Sequence, residues 1–117
     1  MKFMICNLLA LFLASVAPTE IKQEGIASYY GYEHAGRKTA NGEIFNPNRM
    51  TAAHKTLPFG TIVEVECLDS NKKTTVRIND RGPYIKGRII DLSRAATKEI
   101  GILKKGITPC KIRIINN

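Results

Sequence analysis

Two aspartates that follow apolar runs are the residues of this chain most able to do chemistry. A β-rich run at residues 76–79 ends at Asp80, and a second apolar run at residues 88–90 ends at Asp91. A Gly-Pro turn at residues 82–83 separates them. Acids at strand ends are held rigidly by a scaffold and can face a cleft. Together with a basic surface and an export signal, they predict hydrolysis or rearrangement of a polysaccharide outside the cytoplasm.

Two other polar residues lie beside turns and could join these acids. Glu43 lies in a tight turn at residues 39–43, and His54 follows a short run of small residues. A histidine in such a position more often bonds the backbone than takes part in catalysis. Asp80 could equally form an Asx turn, and Asp91 could cap the helix that follows it. Each residue alone is therefore a weak indication of an active site.

The N-terminal residues have the composition of a secretory signal peptide. Lys2 supplies a positive start, residues 3–16 are nearly all apolar, and small residues permit cleavage after Ala17. The apolar run is shorter than the roughly 20 residues of a membrane-spanning helix. We therefore expect an exported protein, periplasmic or associated with the cell envelope, with no stable membrane span; a retained signal anchor is the alternative. Cys6 lacks the small residue that precedes a lipidated cysteine, so no lipid anchor is expected.

One small basic domain is expected after the signal peptide. The chain has 117 residues and a formal net charge of +8, which favours an anionic partner such as the cell wall. Its basic residues are scattered and aromatic residues are few, so nucleic acid is not expected as a partner. We divide the chain into a signal peptide at 1–17, a linker at 18–24 and a domain at 25–117, and we expect a monomer.

Short alternating segments predict a mainly β fold. The predicted strands cover residues 25–30, 61–67, 73–78 and 111–115, and the one predicted helix covers residues 93–100. The second and third of these strands are expected to form a hairpin, and Ser93 is expected to cap the helix. A turn-rich loop at residues 31–48 is long enough to be functional. Many short strands with one helix favour a small β-barrel.

Two cysteines, Cys67 and Cys110, lie in the expected domain near the ends of predicted strands. An even number of cysteines in an exported protein allows a disulfide, and the alternative is two buried thiols that pack as small apolar groups. The sequence does not supply the Cα spacing that decides between these alternatives. No CxxC pair is present, so a structural zinc site is not expected.

Five ordered segments of the chain carry a resemblance to a known family, and they lie at residues 27–31, 36–43, 50–60, 79–83 and 88–93. They closely resemble the rare lipoprotein A family, whose members are lytic transglycosylases of bacterial peptidoglycan. The resemblance implies a six-stranded double-psi β-barrel with one or two short helices, the barrel also found in expansins. Family members commonly have Trp at the position of Tyr29, and many carry a lipid anchor and a C-terminal glycan-binding domain, which are not expected here.

The resemblance also implies roles for individual residues. Glu43, His54 and Asp80 match the proposed active-site positions of the family, and Asp91 resembles the acid of expansin-type barrels. We expect Asp80 to be the acid and base, with the roles of Asp80 and Asp91 open to exchange. Such an acid must keep a proton near neutral pH, which requires burial or a neighbouring carboxylate, and Asp91 or Glu43 could supply that carboxylate. His54 is expected to orient a carboxylate or a substrate acyl group.

Three residues are expected to bind substrate. Tyr29 and Tyr30 could present a ring face to a sugar, or they could pack in the core instead. Arg81 would oppose protonation of Asp80 if it pointed inward, so we expect it to point outward or toward the substrate.

The expected reaction is cleavage of the β-1,4 bond after N-acetylmuramic acid, in peptidoglycan strands that lack stem peptides, with 1,6-anhydro ends as the product. No cofactor and no metal are expected. The first alternative is an expansin-like module that binds peptidoglycan without cleaving it. The second is a metal hydrolase built on His54, Glu43 and Asp80, for which the sequence has no HxxxH or similar ligand spacing.

Overall fold

Six strands close into a barrel in the computed structural model, which describes residues 22–116. The strands are β1 Lys22–Tyr29, β2 Thr51–Ala53, β3 Ile62–Cys67, β4 Lys73–Asp80, β5 Arg88–Leu92 and β6 Thr108–Asn116. A 3-10 helix lies at Tyr32–His34, and the α-helix α1 lies at Arg94–Glu99. Neither helix is long and apolar enough to cross a membrane.

The strands follow one another around the barrel in the order β1-β5-β2-β4-β3-β6. The pairs β1–β5 and β2–β4 are parallel, and the other four pairs are antiparallel. β1 and β2 are not neighbours in the sheet, because β5 lies between them, and a long loop joins them. This loop lies against β4, where the N–H of Asn41 donates to the backbone oxygen of Asn79 at 3.2 Å, and it shapes the candidate site. The predicted six-stranded barrel with a short helix is confirmed.

Alternating side chains of β3 and β4 fill the inside of the barrel. Val63 and Val65 of β3 are fully buried, and Val63 is paired with the buried Val76 of β4. The predicted hairpin is therefore confirmed, with its apolar face inward. The core is completed by a further residue of β4, by side chains of β1, β2, β5 and β6, and by α1 with the residue that follows it: Ala27, Ala52, Ile78, Ile90, Leu92, Ala96, Ile100, Cys110 and Ile112.

The start of the first strand differs from the predicted one, because pairing with another strand decides where it begins. β1 begins at Lys22, so residues 22–24 of the expected linker belong to the barrel, where they pair with residues 111–113 of β6. Their polar sequence has no alternation that would mark a strand. Residues 18–21 and the expected signal peptide at 1–17 lie outside the described residues.

Two local predictions concern Ser93 and the cysteines. Ser93 caps α1, since its Oγ accepts a hydrogen bond from the Ala96 backbone N–H at 3.3 Å.

Cys67 and Cys110 are paired directly across β3 and β6, and both are fully buried free thiols. The structure therefore corresponds to the thiol alternative for the two cysteines.

Candidate active site

Four positions form a row across neighbouring strands, and two of them are aspartates. Asp91 of β5 is paired with Ser28 of β1 on one side and with Ala53 of β2 on the other. Ala53 is paired in turn with Asp80 of β4. Residues paired across strands share a face of the sheet, and chain neighbours of Ser28, Ala53 and Asp91 belong to the core, namely Ala27, Ala52, Ile90 and Leu92. A register shift between Ala52 and Ala53 brings Asp80, not Asn79, opposite Ala53. Asp80 and Asp91 therefore lie on the outer face with their Cα atoms roughly 10 Å apart, which is two strand spacings.

The carboxylate of Asp80 is fixed by three hydrogen-bond donors. Its Oδ2 accepts from the hydroxyl of Tyr30 at 2.5 Å. Its Oδ1 accepts from the backbone N–H groups of Ala40 at 2.8 Å and Arg81 at 2.9 Å. Both oxygens are thus acceptors, and the donors hold the carboxylate from two sides. The long loop contributes Ala40, so it also helps to orient the acid.

Asp91 lies in a different environment, which favours its protonated form. Burial raises the pKa of its carboxyl, and the nearby charge of Asp80 adds to this effect. A hydrogen bond from the hydroxyl of Ser28 to Oδ1, together with the charges of Arg88 and His34, opposes the rise only in part. Asp80 and Asp91 are therefore two carboxyls in one row with different surroundings, and burial favours a proton on Asp91.

Glu43 is held as a permanent carboxylate. The guanidinium of Arg77 donates two hydrogen bonds to it, at 2.7 and 2.9 Å, and Asn79 Nδ2 donates a third at 3.0 Å. These bonds, with that from Asn41 also contributing, lower the pKa of Glu43 to about 2. Gly42 makes the preceding turn possible, because its φ of 94° is in the left-handed region. A proton-donating role for Glu43 does not fit this pairing.

Both ring nitrogens of His54 are occupied. Nδ1 accepts from the backbone N–H groups of Thr56 and Leu57, each at 3.1 Å, so the proton lies on Nε2, which is 2.9 Å from Gln23 Oε1. Burial, followed by the charges of Arg81 and Lys55, lowers the pKa of His54. The ring is therefore neutral. It fixes the loop after β2 through hydrogen bonds to the backbone, which is the alternative to a catalytic role that the sequence left open.

The predicted substrate-binding residues take three different positions. Tyr30 packs edge-on against Phe45, with ring centroids 4.8 Å apart, and gives its hydroxyl proton to Asp80. Burial, reinforced by Asp80, raises the pKa of Tyr30, so its hydroxyl remains a donor. Tyr29 packs partly against the core and borders an open cavity of about 480 Å³.

Arg81 points away from the acids. Its Nη1 donates to the backbone oxygens of His54 at 3.2 Å and Leu57 at 2.8 Å, and its guanidinium lies 4.0 Å from the ring centroid of Phe59. Arg81 thus forms no ion pair with Asp80, in agreement with the orientation expected from the sequence.

The outer face also carries residues that the sequence did not single out as functional. Arg77 and Asn79 donate hydrogen bonds to Glu43, and both lie near the end of β4 at which Asp80 stands. The alternation of residues 73–78 predicts the outward position of Arg77. Tyr32 and Tyr84 are 63% and 77% exposed, and one face of the Tyr32 ring is covered by the guanidinium of Arg94, whose Cζ lies 4.8 Å from the ring centroid. Nothing in the local sequence distinguishes these two tyrosines from Tyr29 and Tyr30, which are more buried.

No metal centre is found in the part of the chain that the structure describes. Residues 22–116 contain no group of three or more His, Cys, Asp or Glu side chains arranged to hold a metal ion. The carboxyl groups of Asp80 and Asp91, which lie in one row across the strands, are groups that can transfer protons.

Known proteins are similar to this chain in sequence, and solved structures are similar to it in fold. Endolytic peptidoglycan transglycosylase RlpA of Campylobacter jejuni is 50% identical over 92 residues, which are 79% of this chain and 34% of that protein. The protein of the same name from Pasteurella multocida is 54% identical over 93 residues, 80% of this chain and 32% of that protein. The chain thus spans about a third of the length of these relatives.

Solved structures agree on the barrel. An expansin of Clavibacter michiganensis superimposes with a TM-score of 0.66 at 19% identity, over 83% of this chain and 52% of that one. A mutant of the same expansin, solved in complex with cellohexaose, gives a TM-score of 0.65. The fold is therefore the double-psi β-barrel. Residues 22–112 match the sequence profile of the lytic transglycolase family, and the chain belongs to that family.

Proposed function

We propose that this chain is a lytic transglycosylase of peptidoglycan. Its substrate is the glycan strand, cut at the β-1,4 bond between N-acetylmuramic acid and N-acetylglucosamine, with a 1,6-anhydro end as product. The observation that carries the proposal is the pair Asp80 and Asp91, one fixed by three donors and one partly buried with a raised pKa. The names of the relatives support the same substrate class.

We assign the acid and base role to Asp91. The protonated carboxyl gives its proton to the glycosidic oxygen as the bond from that oxygen to the anomeric carbon breaks. The 6-hydroxyl of the same sugar then forms a bond to the anomeric carbon, and its proton returns to Asp91. No water is consumed, and one group serves both steps. Asp91 fits this role better than Asp80, because the oxygens of Asp80 already accept three hydrogen bonds.

The other polar residues then have supporting roles. The negative charge of Asp80 helps to keep a proton on Asp91 and can stabilise the positive charge that develops on the sugar ring. Glu43, fixed by Arg77, orders the loop that carries the Ala40 donor. The exposed rings of Tyr32 and Tyr84 are candidate surfaces for sugar stacking.

The setting of this reaction is the cell envelope, where peptidoglycan lies. The net charge of +8 favours association with an anionic wall polymer. We propose that the protein acts as an exported monomer on strands that lack stem peptides. A measurement of mass in solution tests the monomer, and parallel digests of strands with and without stem peptides test the substrate.

Mass spectrometry of purified glycan strands digested by the protein tests the reaction. The wild type is expected to produce 1,6-anhydro ends, and Asp91→Asn is expected to produce none. Glu99→Gln is the matched control, since Glu99 is an exposed acid at the end of α1. Full cleavage by Asp91→Asn together with an inactive Asp80→Asn would reverse the assignment. Binding of strands without any new ends would instead identify an expansin-like module.

A further inference from the structure

The last strand of the chain closes the barrel, and one of its two seams carries a pair of opposed thiols. β6 is paired with β1 on one side and with β3 on the other. Cys110 of β6 lies directly opposite Cys67 of β3, and these are the two cysteines of residues 22–116. Neither thiol has a part in the proposed reaction. Residues 68–109 separate them in the chain, so a bond between them would join the closing strand to a distant segment.

The hydrogen bonds around this pair show that the two backbones are close. The Leu68 N–H donates to the backbone oxygen of Pro109 at 3.0 Å, one position beyond the cysteines. The Cys67 N–H points the other way and donates to the backbone oxygen of Lys72 at 2.8 Å. Cys67 and Cys110 therefore occupy a non-hydrogen-bonded site, where the Cα atoms of antiparallel strands are about 4.5 Å apart. This spacing lies within the range of roughly 4.4–6.8 Å that disulfides usually span.

Both thiol side chains point into the barrel. They are fully buried and belong to the same core cluster. Cys67 Sγ lies 3.2 Å from Thr108 Oγ1. Thr108 precedes Cys110 by two positions on β6, so the two residues share a face of that strand. The sulfur of Cys67 is thus directed across the seam toward the face of β6 that carries Cys110.

The seam beside the thiols has fewer hydrogen bonds than a regular antiparallel ladder. Positions 68 and 109 would normally exchange two hydrogen bonds, but Pro109 has no N–H to donate. Only the bond from Leu68 joins these two positions. A covalent link one position away would offset this loss where β6 joins β3.

We propose that Cys67 and Cys110 form a disulfide that links β6 to β3 when the chain folds under oxidising conditions. The structure shows the reduced state of this site. One cysteine thiolate attacks a disulfide RSSR, which gives a mixed disulfide and releases one thiol RSH. The second cysteine thiolate then attacks the protein sulfur of the mixed disulfide and releases the second RSH. The two protein thiols lose two electrons and two protons in total, and RSSR is reduced to two RSH.

Burial determines when this bond forms. Fully buried thiols cannot meet RSSR in the closed barrel, so the exchange takes place before β6 docks. The core then shields the finished bond from reductants. An exported chain meets oxidants of this class as it folds. That link to export rests on the proposed function, whereas the bond itself rests on the register of the strands.

Refolding in two redox buffers tests the site without a glycan. Cys6→Ser leaves Cys67 and Cys110 as the two thiols of the full chain. This protein is reduced in urea and then diluted into reduced glutathione alone, or into a mixture of reduced and oxidised glutathione. The mixture is expected to give a protein lighter by two hydrogen atoms, with one disulfide-linked peptide pair and no thiol that reacts with maleimide in denaturant. Reduced glutathione alone is expected to leave both thiols reactive in denaturant.

The bond is also expected to stabilise the barrel. The thermal unfolding midpoint of the oxidised protein should exceed that of the reduced protein by roughly 10 °C, because the bond restricts the loop of residues 68–109 in the unfolded chain. Cys110→Ser in the same background keeps one thiol and should have the same midpoint after either refolding.

A second control keeps two thiols and changes only their register. Val65→Cys combined with Cys67→Val moves one thiol to a position opposite Ile112, away from Cys110. The oxidising buffer is expected to leave most thiols of this variant free.

Several results would overturn the proposal. These are two reactive thiols after refolding in the glutathione mixture, glutathione adducts in place of the link, equally complete bonding in the variant with the moved thiol, and an oxidised midpoint at or below the reduced one. All are independent of whether glycan strands are cut. A protein that forms the disulfide but no anhydro ends would retain this site and lose the proposed reaction.

Discussion

The Ser28→Ala substitution should shift the pH dependence of glycan cleavage in a defined direction. Ser28 donates a hydrogen bond to Asp91 Oδ1 and so stabilises the charged carboxylate. Its removal raises the pKa of Asp91 further. A general acid must be protonated, so activity falls as pH rises through its pKa, and the basic limb of the profile should move to higher pH. A hydrogen bond to a charged group contributes about 1.5 kcal/mol, which corresponds to a move of roughly one pH unit.

The assay is kcat/KM for glycan strands measured across the pH range, because this parameter reports ionisations of the free enzyme. Ser70→Ala is the control: the hydroxyl of Ser70 donates to the backbone oxygen of Ile100 at 3.2 Å, away from the acids. Its profile should keep the shape of the wild-type profile. A basic limb of Ser28→Ala that stays in place, or moves to lower pH, would refute the assignment of Asp91 as the acid.

Three further predictions concern other parts of the molecule. Glu43→Gln should lower the free energy of unfolding by about 1 kcal/mol at pH 7, allowing for solvent screening of the half-exposed Arg77–Glu43 pair. Because folding lowers the pKa of Glu43 from 4.5 to about 2, this loss of stability relative to the wild type should be complete above pH 4.5 and vanish toward pH 2. Urea unfolding at pH 7 and near pH 2 measures it. Tyr30→Phe removes a donor to Asp80, so kcat should fall while the variant unfolds about 1.5 kcal/mol more easily, and an unchanged kcat would contradict the role given to that carboxylate. In the reduced protein Cys67 and Cys110 are fully buried, so a maleimide should label neither thiol until denaturant is added. Burial, together with the neighbouring Cys67 thiol, also raises the pKa of Cys110 to about 12.

The position of each aspartate on a strand was accessible from the sequence because it depends on local pattern, whereas their pairing through Ala53 was not. Asp80 and Asp91 each follow an apolar run that forms a strand, and strands of one barrel bring such positions to one face. The hairpin of β3 and β4 was equally accessible, since Val63, Val65 and Val76 alternate with polar residues.

Contacts between distant segments were not accessible in the same way. Glu43 and Arg77 are 34 residues apart, and their pairing depends on how the long loop folds over β4. The strand character of residues 22–24 comes from β6 and not from their own side chains, an instance of tertiary context deciding strand formation. The different surroundings of the two aspartates likewise depend on distant residues. The hydroxyl of Ser28 donates to Asp91 and that of Tyr30 donates to Asp80, and both donors come from the end of β1 and the residue after it.

The small side chain of Ala53 between the two acids has a consequence for how such barrels can diversify. The gap that Ala53 spans is defined by backbone pairing of three adjacent strands, so its width is a constant of sheet geometry. Loops over it can lengthen, shorten or change composition and thereby alter which polymer is accepted, while the proton-handling pair keeps its spacing. Engineering of new polysaccharide specificities could therefore vary the rest of the long loop, keep the turn at residues 39–43 that carries the Ala40 donor and Glu43, and leave the strands untouched.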